Sequence, residues 1–273
     1  MSATTSSERA AALARAFAAA AAEGRAALVP YVTAGHPSPE VFPAVLSMLA
    51  EEGADVIELG VPFSDPLADG PTIQRSSFEA IAQGVDLRWA LDVLADFRRE
   101  HDTPVVLFTY LNPVLRHGVD RFLDDAARAG ADGVLLTDLP VGADPELERR
   151  FGESPLDLIR LVAPTTKPER VREIARAARG FLYYVSRTGV TGAREELAAG
   201  LAREVAAVRA ATGVPVAVGF GVSTPEQAAE VARLADGVVV GSALVDRLAR
   251  EGLEGARAFV RSLRRATARA AAD

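Results

Sequence analysis

The stretch Val56-Ile-Glu-Leu-Gly-Val-Pro-Phe-Ser-Asp-Pro-Leu-Ala-Asp-Gly-Pro-Thr-Ile-Gln74 opens as a short apolar run with a single acid in it. Val56, Ile57 and Leu59 have the character of a buried parallel strand. A period of two turns Ile57 and Leu59 one way and Glu58 the other, together with Val56 and Gly60. A carboxylate buried on a strand is costly unless it is paired or has work to do. Gly60, Pro62, Pro66, Gly70 and Pro71 then bar a regular element until about Thr72. That stiff loop carries Asp65 and Asp69 before helical periodicity resumes near Ile73. Strand, acid-bearing loop and helix make one βα unit with its chemistry at the end of the strand.

Working outward, the same unit recurs. Apolar, β-branched runs predict strands at 27–33, 56–59, 105–110, 133–137, 157–162, 181–186, 214–219 and 237–240, nearly every one followed by a helical pattern. Strict alternation implies a parallel sheet, and eight units in 273 residues match the (β/α)8 barrel, the TIM barrel. The α/β reading is therefore one domain over 1–273, with an extra N-terminal helix at 7–23 and frayed ends at 1–6 and 271–273. An open doubly wound sheet is the alternative, but no Gly-x-Gly-x-x-Gly follows the first strand. Ser38 reads as the N-cap of a helix over 38–52, 112–117 reads as a loop, and a short acidic helix is expected near 145–150. Gly53-Ala-Asp-Val-Ile, Gly130-Ala-Asp-Gly-Val and Ala235-Asp-Gly-Val echo one another as reused helix-to-strand turn chemistry.

Composition narrows the partners and the reaction. Hydrophobic residues make up 49% of the chain, ample for a large core, and the net charge of −7 argues against nucleic acid. Without cysteine there is no disulfide, thiol nucleophile or thiolate metal site. No signal core and no membrane-length apolar run is present, so a cytoplasmic location is expected. Lys167, the sole lysine, lies beyond strand five at an exposed helix start, unsuited to a shielded Schiff base. His36, His101 and His117 are too scattered for a zinc-type site, and no metal is expected.

Barrel chemistry sits on the loops that follow the strands. Those loops hold Glu58, Asp65, Asp69, Asn112, Asp138, Thr165, Arg187, Thr191 and Ser242, whereas the opposite loops hold mostly Gly, Ala and Asp. Gly219-Phe-Gly221 and Gly241-Ser242 close strands seven and eight, where backbone N–H groups and a helix N-terminus suit a phosphate. Arg187-Thr-Gly-Val-Thr-Gly192 has the polarity and glycines of a lid, with Thr191 placed to hydrogen-bond a carboxylate on closure. Glu58 and Asp69 are candidates to divide acid and base duties in one pocket; Asp65 reads as a turn former. A carbon–carbon bond made or broken here needs neither imine nor metal, so the substrate must supply its own electron sink.

Glu58 with Leu59–Gln74 resembles the signature of the tryptophan synthase alpha subunit family. Pro30–Gly35, Tyr110–Pro113, Asp138–Pro140, Ser186–Gly192, Gly219–Gly221 and Gly241-Ser242 follow in that family's order, so the resemblance runs from about Arg25 to Val245. One departure is His36, where many members carry an acid. The resemblance implies a lyase that cleaves indole-3-glycerol phosphate to indole and glyceraldehyde 3-phosphate, the indole ring being the electron sink. It implies that Glu58 transfers the proton and that Asp69 holds the indole N–H. Tyr183 and Thr191 would support them, Gly192, Gly221, Gly241 and Ser242 would hold the phosphate, and Tyr31, Tyr110 and Phe220 would line the indole pocket. It implies no cofactor in this chain and a beta subunit partner, carrying pyridoxal phosphate, in an alpha2-beta2 heterotetramer. The 62–69 and 112–117 segments are the candidate interface. The alternatives are a stand-alone lyase that releases free indole and another phosphate-binding barrel enzyme.

Overall fold

Period two along eight short strands sorts the apolar residues of the chain into two cores. The computed structural model describes residues 11–186, 194–219 and 221–269. Strands β1 (Ala27–Thr33), β2 (Ile57–Gly60), β3 (Val105–Thr109), β4 (Gly133–Leu136), β5 (Asp157–Val162), β6 (Leu182–Val185), β7 (Val216–Gly219) and β8 (Gly237–Val240) pair in chain order and close into a barrel. Every pairing is parallel, and β8 returns to β1 with Gly237 opposite Ala27. The expected TIM barrel is the observed fold.

One set of strand residues points outward. Ile57, Leu59, Leu107, Val134 and Val218 join a large buried cluster against the surrounding helices. The other set, including Val29, Val56, Val106, Leu135, Ile159, Tyr183 and Val239, fills the barrel interior. The floor of that interior is helix α1 (Ala12–Ala22), whose Leu13, Phe17 and Ala20 are buried. Phe17 packs on Phe181 with ring centroids 5.2 Å apart. Gly237 makes room for it, since a Cβ there would stand 2.7 Å from Phe17 Cε1. With the lower end plugged, the barrel interior opens at the end where the strands finish.

The outer layer is α2 (Phe42–Glu51), α3 (Pro71–Ala82), α4 (Leu87–Phe97), α5 (Leu111–His117), α6 (Val119–Ala129), α7 (Pro145–Glu153), α8 (Pro168–Ala177), α9 (Arg194–Ala211), α10 (Pro225–Leu234) and α11 (Ser242–Ala266). Two expectations are corrected here. Ser38 does not cap α2; its carbonyl accepts from the Val41 and Phe42 N–H groups, and the helix proper begins at Phe42 after a turn. Segment 112–117 is not a loop but part of α5, whose Leu111 N–H is accepted by Asp138 Oδ1 at 2.7 Å. A neighbouring βα loop supplies that cap, which a local reading cannot see.

The echoed Asp residues turn out to be one device used repeatedly. The backbone N–H of Asp55, Asp132 and Asp236 donates to the carbonyl of Leu28, Val105 and Val216 on the preceding strand. Each carboxylate then accepts the N–H of that same residue, at 2.7, 2.9 and 3.0 Å. An arginine closes each set: Arg25 forks to Asp55, Arg98 reaches Asp132 and Arg209 reaches Asp236. Carboxylates satisfied this way, buried at Asp132 and partly buried at Asp55 and Asp236, hold strand register at the face away from the cavity.

Candidate active site

The C-terminal end of the barrel encloses a cavity of about 810 Å³, and Tyr31, Glu58, Asp69, Tyr183, Gly221, Gly241 and Ser242 all line it. This size is within the usual range for a small-molecule site. Segments far apart in the chain thus bring the candidate carboxylates, two tyrosines and three of the four candidate phosphate residues together. Gly192, Thr191 and Phe220 fall outside the described residues, as does the whole of the 187–192 lid.

Glu58 enters this cavity because β2 pleats it inward between Val56 and Gly60, as the sequence periodicity requires. The side chain is 1% exposed, and among the described residues neither carboxyl oxygen has a hydrogen-bond partner. Burial alone pushes its pKa from 4.5 to about 8. A structural carboxylate in such a place is normally paired with Arg or hydroxyls; this one is held protonated at neutral pH and free to act.

Asp69 arrives from the loop and is held differently. Tyr110 Oη donates to Asp69 Oδ2 at 3.0 Å and accepts from the Ala68 N–H at 3.0 Å. Gln74 on α3 donates to the Asp69 carbonyl at 2.9 Å and reaches the Pro66 carbonyl at 3.4 Å. Burial raises the Asp69 carboxyl to about 6, and the Tyr110 hydroxyl pulls the other way. The two carboxyls therefore stand on opposite sides of neutrality, one protonated and one mostly ionised, the separation that acid–base pairs use. Asp65 is exposed and accepts from Ser64 Oγ at 2.7 Å, and it does not line the cavity.

The aromatic walls differ in part from the expectation. Tyr31 packs edge-on against Phe108, with centroids 5.2 Å apart and planes at 80°. Its ring fits only because residue 60 is glycine, where a Cβ would stand 2.1 Å from Tyr31 Oη. Gly219 does the same for Tyr183, with 2.3 Å to its Oη. Burial and the nearby carboxylates push both phenols well above the ordinary tyrosine value, so both keep their protons. Tyr183 makes no hydrogen bond to Glu58. Tyr110 packs on Phe63 at 5.1 Å behind Asp69, and Phe108, two residues earlier on β3, lines the cavity. Period two along β3 was the signal for Phe108; nothing local marked Gln74.

At the far side of the cavity, Gly221 holds a left-handed φ of 88° and Gly241 is the N-cap of α11. The first N–H groups of a helix have no helical acceptor and favour an anion. The Ser223 N–H is not among the free donors of this end, since Gln227 Oε1 accepts it at 2.7 Å.

Residues 17–272 match the family model for the tryptophan synthase alpha chain. The chain belongs to the tryptophan synthase alpha chain family. A tryptophan synthase alpha chain from Geobacter sulfurreducens is 54% identical over 81% of this chain and 84% of its own length. One from Synechococcus elongatus is 47% identical over 92% of this chain and 94% of its own. Among solved structures, tryptophan synthase subunit alpha from Legionella pneumophila superposes with a TM-score of 0.86 at 39% identity, covering 94% of this chain and 98% of that one. Tryptophan synthase from Mycobacterium tuberculosis gives 0.86 at 41% identity with the same coverage. The reaction of the alpha chain family is the cleavage of indole-3-glycerol phosphate, a lyase reaction.

Proposed function

We propose that Glu58 and Asp69 carry out the family's retro-aldol cleavage in this cavity, as proton donor and charge-stabilising carboxylate. The reaction breaks the bond between indole C3 and the glycerol phosphate side chain. Protonation at C3 turns the ring into an iminium-like cation that accepts the bonding electrons. Glu58, protonated at neutral pH by its dry surroundings, is the acid for that step. The carboxylate it leaves is the base for the side-chain hydroxyl proton, which departs as the aldehyde forms. Asp69, mostly ionised and steadied by Tyr110, accepts a hydrogen bond from the indole N–H and offsets the developing positive charge. Tyr31, Phe108 and Tyr183 form the apolar walls for the ring. Gly221, Gly241 and Ser242, with the N-terminus of α11, hold the phosphate; Gly192 would join them and Thr191 would bind Asp69 when the lid closes.

The observation that carries this reading is a fully buried glutamate with no hydrogen-bond partner among the described residues, facing a cavity that a second, mostly ionised carboxylate shares. We further infer a beta subunit that receives the indole, holds pyridoxal phosphate and completes an alpha2-beta2 heterotetramer, with no cofactor in this chain and a cytoplasmic location. Two exposed leucines support the interface: Leu67 on the acidic loop is 92% exposed and Leu115 on α5 is 55% exposed. Apolar side chains left open on the rim of an active site suit a protein partner. The test is indole release from indole-3-glycerol phosphate, with and without the beta subunit of the same organism. Slow release alone and much faster release with the partner are expected. Fast release alone would make the chain a stand-alone lyase, and no release from folded protein in either case would overturn the reading.

A further inference from the structure

We propose that His36 is a positioning residue for the phosphate end of the site, fixing the first turn of α11 and with it the helix N-terminus at Gly241 and Ser242. The inference rests on the reading of that N-terminus as the phosphate site. His36 lies on the loop after β1 and is 3% exposed. Its Nε2 is 3.2 Å from the Val245 carbonyl, 209 residues away in sequence. A carbonyl only accepts, so Nε2 carries the proton. Burial lowers the ring's pKa below the ordinary histidine value and keeps it neutral.

Three elements of the active face converge on this ring. Gly35, with a φ of 78°, turns the chain so tightly that a Cβ there would stand 2.4 Å from Val85 Cγ2. On α3, Glu79 Oε2 lies 3.5 Å from His36 Nδ1, and Arg75 on the same helix lies 3.5 Å from Asp246 on α11. On α11, Val245 is buried and packs with Tyr31 and Ile73, both of which line the cavity. Val245 follows Ser242 by three residues, less than one turn. Its carbonyl has a second lone pair for the imidazole beside its helical bond. A donor at His36 Nε2 therefore sets where the start of α11 sits relative to β1. Misplacing a helix N-terminus by a fraction of an ångström weakens its hold on an anion without touching the carboxylates that do the chemistry.

The probe is glycerol 3-phosphate, which carries the phosphate and lacks the scissile bond. Gln places its amide N–H near the Nε2 position and Asn does not reach it. His36→Asn and His36→Leu should raise the Kd for glycerol 3-phosphate and the KM for substrate by about 3- to 10-fold, with kcat within about twofold, as expected for one lost hydrogen bond. His36→Gln should bind as the unaltered protein does. Equal binding in all variants, loss in kcat alone, or a Gln variant as weak as the Asn variant would overturn the assignment. If the Leu variant fails to fold, the Gln and Asn pair still decides. Failure of the unaltered protein to bind glycerol 3-phosphate would sink the phosphate-site reading itself, and the inference with it.

Discussion

Replacing Glu58 by Gln separates the cost of the buried carboxyl from its chemistry. Burial moves this carboxyl from 4.5 to about 8, and unfolding returns it to water. Between those two values the unfolded chain has released the proton while the folded protein still holds it. Stability from this group is thus fully present below the unfolded value and is lost as pH rises toward the folded one, at ~1.4 kcal/mol per pH unit. From about pH 5.5 to about pH 7.5, the unaltered protein loses about 3 kcal/mol on this account. Asp69, raised to about 6, adds slope of the same sign at the acid end, but both proteins carry it and it cancels in the difference. Gln has no proton to release, so the variant should gain on the parent by about 3 kcal/mol across that range, or on the order of 5–10 °C in Tm. Urea unfolding of both proteins at several pH values measures it. A difference constant to within about 0.5 kcal/mol would show that Glu58 ionises as it does in water, and the argument from burial would be refuted.

Three further outcomes follow from the same geometry. The pH profile of kcat/KM should be a bell that rises through about 6, as Asp69 ionises, and falls through about 8, as Glu58 loses its proton; a profile flat across both values would remove the division of labour. Tyr110→Phe deletes the hydrogen bond to Asp69 Oδ2, so the acid limb of that bell should move up by about one unit while the limb set by Glu58 stays in place; an unmoved acid limb would detach Tyr110 from Asp69. Gly60→Ala puts a methyl 2.1 Å from Tyr31 Oη in a packed interior, so it should cost about 1–3 kcal/mol of stability and displace the cavity wall; normal unfolding and normal KM would show that the ring has room to move.

The stretch 56–74 was legible because its information is local. Alternation sends Glu58 to the face opposite Ile57 and Leu59 whatever surrounds it, and three prolines and two glycines keep the loop out of regular structure in any fold. The repeated Ala-Asp turns were visible as an echo, and their physical content is the strand-register device at Asp55, Asp132 and Asp236. What stayed hidden depends on distant neighbours. Nothing in 38–42 says that the helix waits until Phe42, and the order of 111–117 depends on Asp138 from the next βα loop. That Glu58 finds no hydrogen-bond partner among the described residues is a property of the finished barrel. The same is true of Gln74 clamping the Asp69 loop, of Tyr110 standing behind Asp69, and of His36 meeting Val245.

The central claim is that the buried Glu58 carboxyl moves the proton. Single-turnover release of indole from indole-3-glycerol phosphate, compared between the unaltered protein and Glu58→Gln, tests it most directly, with glycerol 3-phosphate binding measured in parallel to show that the site is intact. The account predicts a loss of about 10²- to 10⁴-fold in the rate of bond cleavage with ligand binding unchanged. Cleavage at close to the parent rate by a variant that binds normally would contradict it.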